Sequence, residues 1–147
     1  MSALPELPIL RQGTPYTSLD VSEINDVATG QPVIRVSQAN RGLVTREFTH
    51  TAAARKALTA IPTLERVEMI KRAGEIFLKD TLPIGIAGQT QTPEDYVRQL
   101  SSTSGLPHSL IRMNMTRLAA VFGQIDIILR GLTRGLDKWN QRRPQFS

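Results

Sequence analysis

Residues 111–132, IRMNMTRLAAVFGQIDIILRGL, carry the most regular pattern in the chain. Ile111, Met115, Leu118, Phe122, Ile125, Leu129 and Leu132 follow one another at intervals of four, three, four, three, four and three residues. That alternation averages 3.5 and lays the seven side chains along one side of a helix. Val121 and Ile128 widen the stripe, and the flanks lack the ordered Glu/Lys pairing that sets the register of a coiled coil. The width favours packing inside the chain over zipping two chains together. The fold is therefore expected to be mainly α, with this segment as its spine.

Upstream, Thr92-Pro93-Glu94-Asp95 supplies an N-cap, a proline at the first helical position and an acidic third position, which together start a helix. Gly105, with Pro107 two residues later, marks the end of that helix at about Ser104, because glycine takes the left-handed cap and proline blocks continuation. Before it, TLPIGIAGQTQ holds a proline and two glycines and is expected to be a loop. From Thr63 to about Asp80, Leu64, Val67, Ile70, Ala73 and Phe77 step by three and four, a second helix whose stripe is expected to receive Leu118, Phe122 and Ile125. Leu43, Val44, Phe48, Ala52, Arg55 and Leu58 predict one further helix between Asn40 and Pro62.

Toward the amino terminus the period shortens. SLDVSEIN, DVATGQ and PVIRVSQ read as two short strands around a turn at Thr29-Gly30. Pro32 has no amide hydrogen for a ladder and is tolerable only at an edge or at the first position of a strand, so the hairpin is expected at the periphery, with Val33, Ile34 and Val36 poorly covered. Residues 1–17, with Pro5, Pro8 and Pro15, read as an extended arm. The expected organisation is this arm, a single hairpin-plus-helices unit over 18–132, and a basic tail over 133–147.

Composition bounds the chemistry. The chain has 147 residues, 40% of them hydrophobic and 21% charged, which is enough for one core and too little for two ordinary domains. It has no cysteine, so no disulfide, thiolate nucleophile or Cys-held zinc can arise from it. MSALPELPIL lacks a basic region and an unbroken apolar run, and a cytoplasmic address is the expectation. Leu118–Leu132 is shorter than the roughly 20 residues that cross a bilayer and contains Gln124, Asp126 and Arg130; no membrane span is expected. No dinucleotide or phosphate cradle and no His-Glu-x-x-His is present. His50 and His108 fall on separate elements and read as surface or cap residues. The hydroxyls of Ser101, Ser102, Thr103 and Ser104 precede a glycine with no base placed beside them. No catalytic, cofactor-binding or metal-ligating residue is assigned, and no cofactor.

The order of DVATGQPVIRVSQAN followed by TAAARKALTAIPTLERVEMIKRAGEIFLKD resembles the opening of aldehyde dehydrogenase superfamily chains. There an Asn-Pro-Ala-Thr-Gly-Glu-like turn leads into a strand, an alanine-rich helix, and a helix begun by Glu-Arg. The matching positions here are Ala28, Thr29 and Gly30, Ala52 to Ala57, and Glu65-Arg66. Thr103-Ser104-Gly105-Leu106-Pro107 is similar to the family's Glu-Thr-Gly-Lys-Pro segment, without its acidic and basic residues. The resemblance, over residues 18 to 132, implies the α-helical part of an α/β aldehyde dehydrogenase-like fold. In such enzymes a Rossmann-like domain binds NAD or NADP and a later domain supplies a catalytic cysteine and a general-base glutamate. None of these has a counterpart here, so the resemblance implies an N-terminal fragment or split subunit with a structural or assembly role, associating with another polypeptide or with itself.

The competing reading is a stand-alone helical interaction module. The net charge is +5 and the isoelectric point about 10.2. Arg130, Arg134, Lys138, Arg142 and Arg143, with Trp139 among them, would line one face if the tail were helical, as phosphate neutralisation requires. Gly131, Gly135 and Pro144 oppose a long rigid helix, so nucleic acid is disfavoured as a partner and a protein is preferred. The missing thiol and glycine-rich strand–turn–helix predict that the purified chain neither oxidises aldehydes nor binds NAD or NADP; saturable heat of cofactor binding in calorimetry would overturn this.

Overall fold

A computed structural model describes residues 4–86 and 88–134 of the chain. Seven short strands precede or interrupt six helices: β1 Glu6–Leu7, β2 Ile9–Arg11, β3 Thr14–Tyr16, β4 Val21–Asn25, β5 Pro32–Ser37, α1 Arg41–Phe48, α2 Thr51–Ala60, α3 Thr63–Lys79, β6 Leu82–Ile84, β7 Gln89–Gln91, α4 Pro93–Ser104, α5 His108–Gly123 and α6 Ile125–Leu132. Helices predominate, as the periodicity implied. The strands form three small sheets, which makes the chain a mixed α/β structure rather than helices with one hairpin.

The β4–β5 hairpin forms where the alternating residues place it, with Ile24 opposite Ile34 and Val21 opposite Ser37. Its turn is organised by Asp26, whose Oδ1 accepts hydrogen bonds from the amides of Ala28 and Thr29, each at 2.8 Å. Those two amides hold the Asp26 carboxyl below its ordinary pKa, the Thr29 bond contributing most. Gly30 completes the turn at φ +69°, a conformation that glycine enters without a Cβ penalty. The Val27 amide donates to the Ser102 carbonyl at 2.8 Å, tying this turn to the last turn of α4.

Two expectations for this region are corrected. β5 is the central strand of the sheet β1-β5-β4, not an edge; Pro32 is tolerated because it is the first residue of the strand. Val33, Ile34 and Val36 are accordingly half-buried. Residues 1–17 are also more than an extended arm. β1 runs parallel to β5, with Glu6 opposite Arg35 and Leu7 opposite Val36, and β2–β3 is a second hairpin closed by Gln12 and Gly13, both at positive φ, as a two-residue turn of matching twist requires. Arg11 fixes that hairpin to α1 through Glu47 Oε1 at 2.7 Å and lies 5.1 Å from the Tyr16 ring centroid.

The expected loop between the second and third predicted helices holds a third hairpin, β6–β7. Gly85 in its turn lies so close to β1 that a Cβ would stand 2.6 Å from the Glu6 carbonyl oxygen, so no side chain fits there. The single helix expected between Asn40 and Pro62 is two. Asn40 caps α1 by accepting the Leu43 amide at 2.9 Å, but the Thr49 and Thr51 hydroxyls bond back to the carbonyls of Arg46 and Phe48, a local alternative that interrupts the ladder.

α4 begins and ends as its sequence dictates. The Thr92 hydroxyl accepts the Asp95 amide while the Asp95 carboxylate accepts the Thr92 amide, a reciprocal capping box, and Gly105 closes the helix at φ +74°. The Thr92 hydroxyl lowers the Asp95 pKa most, and the Arg112 guanidinium lowers that of Glu94. Arg112 grips both Glu94 oxygens, at 2.8 and 2.7 Å, and so clamps α5 to α4.

The core lies among α3, α4 and α5. Val97, Ile111 and Met115 are buried, with Phe77, Leu78, Tyr96, Leu100 and Leu106 packed around them; Phe77 meets Tyr96 edge to face at 5.4 Å between centroids. The expected docking of the long seam on the second helix holds only in part. The seam bends at Gln124 into α5 and α6, Leu118 is 43% exposed, and Phe122 is half-buried beside Gly74. Ile111→Ala should therefore destabilise the chain by about 2–5 kcal/mol, whereas Leu118→Ala should change little; equal losses in denaturant midpoints would contradict this core.

Candidate interaction surface

Among the described residues, none of those with chemical potential in the sequence converges on a reaction centre. His50 is the N-cap of α2 without a side-chain bond to the helix, and His108 opens α5. Among the described residues no group of three or more His, Asp and Glu side chains could hold a metal. The hydroxyl cluster is spent on backbone: Ser101 Oγ donates to the Leu106 carbonyl, Ser102 and Thr103 to that of Gln99, and Ser104 to that of Leu100. None of the described helices is long and apolar enough to cross a membrane. In the proposed basic row, α6 ends at Leu132 and Arg134 adopts φ +53° beyond it, so Arg130 and Arg134 do not continue one helical face. Lys138, Trp139, Arg142 and Arg143 lie outside the described residues.

A polar depression of about 580 Å³ runs along α3, lined by Glu68, Lys71, Arg72, Glu75, Lys79 and Asp80 besides Ile76. Three cations and three carboxylates are mixed there, and Lys71 pairs with Glu68 at 3.3 Å and with Asp126 at 3.8 Å. Such mutual neutralisation selects no ligand sign.

The apolar surface is more informative. No residue of α1 or α2 is buried, and in α2 none is even half-buried. Alanine propensity alone leaves a helix of ten residues marginal in water. Leu58, near its end, is 55% exposed. It forms one wall of a trough of about 430 Å³ whose other lining residues are Ile61, Thr63, Arg66, Val67, Met69 and Ile70, with Leu129 from α6. Met69 is 53% exposed, so the trough lies open. Val67 forms its floor, being almost fully buried. On α6, Leu132, one turn after Leu129, is exposed as well.

Arg66 is the cation of this trough. Its Nη2 donates to Thr63 Oγ1 at 3.0 Å, while Nε is shielded from water and has no acceptor. No carboxylate lines the trough; Glu65 and Glu68 belong to the same helix but not to its lining. The stripe Leu64, Val67, Ile70, Ala73 and Phe77 pointed to the floor but missed Met69 and Ile61, which lie off its period. An apolar residue outside the stripe was the only available signal.

No protein-family model, curated protein or solved structure matches the chain. The surface must be interpreted from its own chemistry. If α2 is held only by its own propensity, its amides should exchange with solvent far faster than those of α3 and α5; hydrogen exchange resolved by residue would test this, and core-like protection in a dilute, monomeric sample would contradict it.

Proposed function

We propose that the chain is a structural or assembly component resembling the N-terminal segment of NAD(P)-dependent aldehyde dehydrogenases, completed by other polypeptide rather than acting alone. The observation that carries the assembly role is the uncovered α2 helix and the open apolar trough beside it. An exposed apolar patch of this kind marks a contact surface, and ten residues of helix gain little stability without packing. Support for the resemblance comes from the order of elements. The turn at Ala28-Thr29-Gly30 leads into β5, alanines dominate α2, Glu65-Arg66 sits in the first turn of α3, and Gly105 caps α4. The absence of cysteine from the sequence removes the thiol on which that family's chemistry rests.

The contact is assigned to helices rather than to β5, because β5 is already flanked on both sides, although β4 keeps an open edge. Association is favoured by apolar burial, while a net +5 charge opposes self-association weakly, since charges are screened beyond about 8 Å at physiological ionic strength. Light scattering across a concentration series, alone and with candidate partners, should show association accompanied by protection of α2. A chain that stays monomeric under all these conditions and resists protease throughout 41–60 would overturn the reading.

A further inference from the structure

We infer that the trough between α2, α3 and α6 receives an acidic amphipathic helix of a different polypeptide, with a carboxylate of that helix meeting Arg66. This rests on the assembly role proposed above and names the chemistry of the partner. The argument begins with the lining: six apolar residues, Leu58, Ile61, Val67, Met69, Ile70 and Leu129, surround one guanidinium and one threonine. A guanidinium has five donors and matches a carboxylate in a forked geometry. Among the described residues only one of Arg66's donors has a partner, Thr63 Oγ1, and Nε has none. A modest turn of the side chain would bring the Nε edge toward the trough, where a carboxylate would supply the acceptors that Arg66 lacks.

The surrounding charge points the same way. Among the described residues, Arg55, one turn before Leu58 on α2, makes no ion pair, and neither does Arg130 beside Leu129. α2 contains no acidic residue. The trough is thus an apolar strip among unpaired cations, complementary to a strip of apolar side chains flanked by carboxylates. A second copy of this chain fits poorly, because α2 has no carboxylate and those of α1 and α6, Glu47 and Asp126, are already paired with Arg11 and Lys71. A small amphiphile fits less well than a helix, since small-ligand sites enclose most of their ligand and this trough leaves Leu58 and Met69 more than half exposed.

The test uses the full chain and a fluorescently labelled amphipathic helix of leucine and glutamate, with its leucine–lysine counterpart and dodecanoate as comparison probes. Anisotropy should show saturable binding of the acidic helix alone. Arg66→Gln should weaken it by roughly tenfold or more, the loss expected for one charge-assisted bond. Met69→Glu, at an exposed position that leaves the core intact, should abolish it, while Arg117→Gln, which removes the same charge outside the trough, should not. Equal weakening by Arg117→Gln would reduce the effect to general attraction and overturn the inference. So would equal binding of the lysine helix, displacement of the acidic helix by dodecanoate at comparable concentration, or self-association lost in both trough variants without peptide binding. If the acidic helix fails to bind while light scattering still shows association that protects α2, the trough assignment falls and the assembly role stands.

Discussion

The close crossing of α3 and α5 at Gly74 is the constraint on which the rest of the packing depends. A Cβ at Gly74 would stand 3.0 Å from the Phe122 Cβ and 3.3 Å from the Ala119 carbonyl oxygen, so the two helices touch backbone to side chain there. Both contacts involve atoms fixed to the α5 backbone, which cannot yield as the tip of a flexible side chain can. Glycine inside a helix costs about 1 kcal/mol relative to alanine, and here it permits the approach that buries Ile111 and Met115 one to three turns earlier on α5. With α5 so placed, Val97 of α4 and Phe77 of α3 close over the same cluster.

Polar contacts then fix orientation more than they add stability. The Arg112–Glu94 pair joins α5 to α4 in a forked geometry, but both side chains are about half exposed, where ion pairs contribute little. Lys71 and Asp126 similarly tether α6 to α3 at 3.8 Å. The amide of Val27 on the Ser102 carbonyl attaches the hairpin turn to α4, and Gly85 against Glu6 brings the β6–β7 turn onto β1. The result is a helical core with three small sheets attached to it. α1 and α2 extend beyond that core, held at one end through Glu47 and Arg11, and every residue of α2 stays exposed, Leu58 beside the open trough included.

What makes this surface a candidate site is the coincidence of exposed apolar residues with a cation short of acceptors. Neither alone would be informative, because surface leucines are common and surface arginines are ordinarily solvated. Arg66 differs in that its Nε is withdrawn from water without an acceptor, within a lining that is otherwise apolar apart from Thr63.

Local chemistry alone determined several elements. The Thr92-Pro93-Glu94-Asp95 start and the Gly105 stop bound α4 within its own residues, since capping partners lie three positions apart and a left-handed glycine needs no distant contact. The turn before β5 was equally legible, because a two-residue period is written directly in the order of side chains, whereas the expected α3 stripe held only in part, Leu64 and Ala73 being exposed. Tertiary structure decided the rest. It placed β5 in the centre of a sheet by adding β1, a pairing of residues 29 positions apart that no local pattern encodes. It turned the even seam of 111–132 into two helices, leaving Leu118 and Leu132 exposed while Ile111 and Met115 are buried. A period says which side chains share a face; only the position of the opposing helices, set here by the missing side chain at Gly74, says which of them are covered.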